Sequence, residues 1–235
     1  MNTAALHATD LPVLLRGEAQ PIRGWIEQVS AARLALCLMV IVTGTALFGA
    51  AVGSWRDPQQ AVYTAIKFPL IVLLTTLGTG LLNAMLAPLL GLNLTLRQSL
   101  LAVLLSFTIA AAILGGASPL IWFLVWNTPP LVAGAQATVS AHSLLLVSQT
   151  AAIAFAGLAA NVRLLRLLRE LCGSRAISLR VLLAWLGVNL LLGSQLAWIL
   201  RPFVGSPLLP VEFLRRDAFA GSFYEAFFNA LKHLF

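Results

Sequence analysis

Between Arg97 and Arg163 the chain runs for 65 residues without a single Asp, Glu, Lys or Arg. An aqueous domain is about a quarter charged residues, because its surface must stay wet. Over the whole 235-residue chain charged residues make up only 10%, hydrophobic residues 60%, and mean hydropathy is +0.92. A globule of this size has too little interior to hide so much apolar side chain. Lipid must therefore be the solvent for much of it. The charge-free stretch is itself too long for one crossing, and Asn127-Thr128-Pro129-Pro130 breaks it, since no helix continues through that sequence.

A crossing needs roughly twenty apolar residues to cover about 30 Å of hydrocarbon. Five stretches qualify: Leu34–Val52, Ile66–Leu90, Ser99–Trp126, Val139–Ala160 and Val181–Leu200. The expected fold is therefore all-α, a polytopic bundle of five spans over residues 33–200. A segment of residues 1–32 precedes it, and an elbow and tail of residues 201–235 follow. The third stretch, of 28 residues, would extend about 42 Å. Either it tilts strongly or it breaks at Gly115-Gly116, as helices lining transporter sites do.

Orientation follows from the basic residues. Arg163, Arg166, Arg169, Arg175 and Arg180 crowd the connection between the fourth and fifth spans, against one acid, Glu170. Cytoplasmic loops carry such an excess. The N-terminus is then inside and the C-terminus outside, with nine basic residues inside and six outside. These arginines are the candidate contacts for anionic lipid or a protein partner. Nucleic acid is not expected, because the basic residues are spread between apolar runs.

Both ends read as amphipathic helices lying at the interface or packing on the bundle. Ile22, Trp25, Ile26 and Val29 recur at helical spacing near the start, and Phe219, Phe223, Phe227 and Leu231 near the end. Trp122, Trp126 and Trp198 fall where an outer aromatic belt would lie.

Few polar groups enter the spans. Lys67 and Arg201 sit at span ends, where their stems can snorkel. Thr76, Thr79 and Asn83 share a face of the second span, and His142 and Gln149 share one of the fourth with Ala152, Ala156 and Ala160. Asn189 and Gln195 lie in the fifth, together with Ser194. This set is the candidate intramembrane polar face. Its bland reading is helix packing, with Asn189 as an interhelical hydrogen-bonding group; a pore lining is the sharper one. Gly49 and Gly53 of the first span form a GxxxG pair.

No span contains Asp or Glu, which argues against an intramembrane aspartyl protease and a carboxylate-driven pump. No HExxH, GxSxG, P-loop or GxGxxG occurs, and Cys37 and Cys172 have no metal-ligand spacing. Gly116-Ala117-Ser118 with His142 is similar to a rhomboid serine–histidine pair. However, Pro119 stands where rhomboids need glycine, and Leu144 to Leu146 stand where small residues should follow the histidine. The expectation is a protein without catalysis, cofactor or metal.

The segment PLLGLNLTLRQSLLAVLLSFTIAAAILGGASPLIWF, Pro88 to Phe123, resembles the middle of the Yip family of multi-span proteins. There a leucine-glycine, a few polar residues and arginine-glutamine join two long apolar helices. The resemblance implies a small membrane scaffold with a cytoplasmic N-terminus; eukaryotic members bind Rab GTPases in vesicle traffic. The family's Asp-Leu-Tyr-Gly-Pro-like motif before the first span is absent here. GSQLAWILRPFVGSP, Gly193 to Pro207, is similar to an ending of uncharacterised bacterial membrane proteins. The expected function is a non-catalytic integral membrane subunit that anchors or organises an assembly, in a bacterial inner membrane. Its partners would be other membrane subunits or further copies of itself. The alternative is a subunit of an oligomeric channel or transporter.

Overall fold

The computed structural model describes residues 16, 24–26, 30–129, 136–205 and 210–225. Five long helices lie among the described residues: α1 (Ala31–Gly53), α2 (Pro58–Leu89), α3 (Leu96–Trp126), α4 (Gln136–Cys172) and α5 (Arg175–Leu200). All five are long and apolar enough to cross a membrane. The protein is an all-α bundle of five candidate spans, and no strand occurs among the described residues.

Local sequence sets the helix boundaries. Asp57 accepts from Gln59 N at 2.7 Å and Pro58 takes the first helical position, so α2 starts eight residues before its apolar run. Thr95 and Gln98 close a capping box on α3. Gly91 and Gly173 turn the chain after α2 and α4 with φ of 91° and 62°, a conformation that favours glycine. The arginine-rich connection between the fourth and fifth spans is not a loop. Asn161 to Cys172 continues α4, because Leu164, Leu167 and Leu168 keep an apolar face that is buried, and only Gly173-Ser174 separate α4 from α5. Nor does α3 break at Gly115-Gly116; it runs unbroken to Trp126, with Pro119 inside it.

Successive helices run antiparallel, so the bundle has two ends. The arginine end holds the starts of α1, α3 and α5 and the finishes of α2 and α4. Trp25, Ile26, Ile41, Leu105, Leu168 and Trp185 form its core. Trp25 and Ile26 are thus packed into the bundle, not lying on it; Ile22 and Val29 fall outside the described residues. The core of the opposite end is built from Phe48, Trp55, Phe68, Ile121, Leu145 and Val204. At the centre α1 contacts α2 and α3; α4 packs on α3 and α5 on α2.

Backbones approach closely where glycine permits. A Cβ on Gly115 of α3 would lie 2.8 Å from Gly44 Cα of α1, and one on Gly44 would meet the backbone of Ala111. Gly49 and Gly53, the GxxxG pair, face Thr64 and Gln60 of α2 in the same chain. Outward faces carry Leu77, Met85, Phe123, Phe155, Leu158, Leu183 and Leu190, all exposed. In water that would be costly; in hydrocarbon it is the expected surface.

Candidate functional site

The polar side chains of the spans fall into three places. The first is a seam between α2 and α5. Thr75 lies 3.6 Å from the Cβ position of Gly193, and Ile177 lies 3.6 Å from that of Gly91. This antiparallel register puts Asn83 level with Trp185 and Thr79 level with Asn189. Thr76 and Thr79 return their hydroxyl protons to Val72 O and Thr75 O of their own helix, both at 2.7 Å. Asn83 is fully buried, and neither its Nδ2 nor its Oδ1 has a hydrogen-bond partner among the described residues. The same holds for Trp185 Nε1, Thr75 Oγ1 and Asn189 Oδ1. A buried amide with nothing to bond costs about 1–3 kcal/mol. Replacing Asn83 by the near-isosteric Leu should therefore raise the thermal unfolding midpoint of the detergent-solubilised protein. A lowered midpoint would show that the amide does bond within the bundle.

The rest of the predicted polar face is scattered. Gln149 packs with α4 on α3, on the stripe that also buries Ala156 and Ala160. His142 sits at the far end, its ring 6.0 Å from that of Trp55. Ser118 bonds to Leu114 O at 3.2 Å, so it and His142 are engaged separately. Gln195 Oε1 accepts from Phe223 N at 3.3 Å.

The second place is the elbow after α5. At Arg201 the helix ends level with Lys67 of α2, although α2 continues for nine residues beyond that level. Residues 201–205 cover the gap without being helical, running along α2 until Gly205 meets the Arg56 side chain. Irregular backbone at a membrane boundary must have its carbonyls satisfied by protein, and α2 does this with side chains. Gln60 Nε2 donates to Pro202 O and Phe203 O at 3.0 Å each, the Thr64 hydroxyl lies 3.0 Å from Phe203 O, and Lys67 Nζ donates to Pro202 O at 3.2 Å. Lys67 is fully buried; it does not snorkel. Gln60 and Thr64 were missed as site residues because they precede the apolar run. The Asp57-Pro58 helix-start signal was the clue that could have found them.

From residue 213 the tail turns back. The Phe213 ring lies 5.5 Å from that of Tyr63, and the chain then descends along α5. Asp217 pairs with Arg201, Trp198 Nε1 donates to Ala220 O at 3.4 Å, and the Tyr224 hydroxyl lies 2.6 Å from Ser194 Oγ. The described tail is therefore held against the bundle instead of lying flat. Phe219 remains exposed, and Phe227 and Leu231 lie outside the described residues.

The third place is the arginine end. Arg166, Arg169, Arg175 and Arg180 are exposed on the last turns of α4 and the first of α5. Arg163 Nε donates to Arg16 O at 3.2 Å. Among the described residues no three His, Cys, Asp or Glu are grouped to hold a metal, and both cysteines are free. No family model, curated protein or solved structure matches the chain.

Proposed function

We propose that this protein is a non-catalytic integral membrane subunit that anchors or organises an assembly of membrane proteins. The observation that carries the reading is the arginine end. Four exposed guanidinium groups project from two rigid helix ends, while the leucines between them lock those ends into the core. At 37 residues α4 extends about 55 Å, well beyond a hydrocarbon layer of about 30 Å. Its arginine turns stand clear of the lipid as a preformed basic surface. By the distribution of basic residues this surface is cytoplasmic, with the N-terminus inside and the elbow outside, and the membrane is a bacterial inner membrane. The resemblance of Pro88 to Phe123 to the Yip family supports the same role. The partner is an acidic face of a neighbouring subunit.

Changing Arg166, Arg169, Arg175 and Arg180 to Gln together tests this. At about 0.5 kcal/mol per exposed ion pair, the four should remove about 2 kcal/mol, a loss of affinity of roughly thirtyfold. Mild-detergent purification at native expression should give a stoichiometric second subunit with the wild type and little with the variant. Unchanged co-purification, or a homo-oligomer alone in both, would overturn the reading. The alternative, a channel or transporter subunit, has one observation in its favour: the Asn83 amide and the Asn189 Oδ1, buried inside the spans without a hydrogen-bond partner among the described residues. Solute flux in liposomes, abolished by Asn83→Leu without loss of stability, would decide for it.

A further inference from the structure

Three cations gather where the elbow crosses α2. Lys67 Nζ lies 5.4 Å from the Phe213 ring and donates to Pro202 O, with no carboxylate paired to it among the described residues. The Arg201 guanidinium stacks 3.6 Å over Trp198, donates through one nitrogen to Trp198 O at 2.7 Å, and meets Asp217 at 3.3 Å through another. Arg215 lies in the chain between Phe213 and Asp217, the residues that touch Lys67 and Arg201, and it acts electrostatically on both. It is half-buried, and its guanidinium has no hydrogen-bond or ion-pair partner among the described residues. Neighbouring acids do not balance this group. Asp217 pairs with Arg201 alone, and Glu212 makes no ion pair among the described residues.

A surplus of positive charge at the edge of hydrocarbon, with one carboxylate against three cations, is costly unless an anion joins it. Guanidinium forks match the oxygens of phosphate in particular. We propose that this corner is a binding site for one phosphate group, taken by Arg215 and the remaining N–H groups of Arg201, with Lys67 buried behind them as fixed charge. The phosphodiester of an anionic lipid and free phosphate share this chemistry. Exposed Leu190 and Leu191 lie on α5 two to three turns below Arg201, where the acyl chains of a bound lipid would run.

The test uses the full chain carrying the four arginine-end Gln changes, so that the basic surface at the other end contributes nothing. Native mass spectrometry from detergent micelles doped with phosphatidylglycerol or phosphatidylcholine reads lipid retention, and thermal unfolding with added inorganic phosphate reads the free anion. Retained phosphatidylglycerol, no retained phosphatidylcholine, and a loss of about tenfold on adding Arg215→Gln support a lipid phosphate. Stabilisation by inorganic phosphate that needs Arg215, without a lipid adduct, supports the site with a free anion. Arg215→Lys should recover part of either signal, which a merely misfolded variant would not. Retention and stabilisation both indifferent to Arg215→Gln would overturn the proposal.

Discussion

Gly115→Val should unfold the bundle at far lower temperature or detergent denaturant than the wild type, and Gly116→Val should leave it almost unchanged. The two glycines are neighbours on α3 with the same helical backbone, so propensity effects cancel between them. What differs is what a side chain would meet. At Gly115 the first added carbon lies 2.8 Å from Gly44 Cα, whereas at Gly116 nothing lies within 4 Å. Backbone cannot rotate aside as a side chain can, so α1 and α3 would have to separate along their whole contact. Overpacking of a core costs about 1–3 kcal/mol when side chains can yield, and here the cost should be about 3 kcal/mol or more. Comparable midpoints for the two variants would mean that α1 and α3 do not touch at Gly44.

Gln60→Leu with Thr64→Val should be far more damaging than the two single changes summed. Each residue alone has a second donor behind it. Without Gln60, the Thr64 hydroxyl can still turn to Phe203 O at 3.0 Å, and without Thr64 the Gln60 amide still reaches it at 3.0 Å. Each single variant should therefore lose about 1 kcal/mol. Together they leave the Phe203 carbonyl with no donor in an apolar setting, which adds about 2 kcal/mol of coupling. Val204, buried at 1% exposure beside it, should then be released, and hydrogen exchange of residues 201–205 should accelerate in the double variant alone. Additive losses would show that the elbow is held by its apolar contacts instead.

The five spans were legible because lipid imposes a blunt rule: long charge-free runs must be helices that bond their own backbone. Boundaries were less legible, for a specific reason. Hydropathy marks where the hydrocarbon ends, not where the helix ends. Thus α2 begins at Pro58 and α4 continues to Cys172, each well outside its apolar run. The caps at Asp57 and Thr95 are local and could be read from sequence, whereas the burial of Leu164, Leu167 and Leu168 depends on partners distant in the chain. Of the candidate site residues, the arginines stand together on the adjoining ends of α4 and α5. The polar face does not: Asn83 and Asn189 share the α2–α5 seam, while His142, Gln149 and Gln195 go to three different contacts.

Chain chemistry alone settled that this protein is helical, that it has five spans, and that its basic residues crowd one connection. Each of those is a property of a segment and its solvent, and needs no knowledge of neighbours. Tertiary structure decided the rest. Gly44, Gly49 and Gly115 became helix contacts because other backbones came to them. Lys67 became a buried donor because α5 stops short and the Pro202 carbonyl falls beside it. Phe213 and Asp217 reached Lys67 and Arg201 because the tail doubles back along α5. Such meetings depend on how spans pair and where each one ends, which one-dimensional hydropathy does not contain.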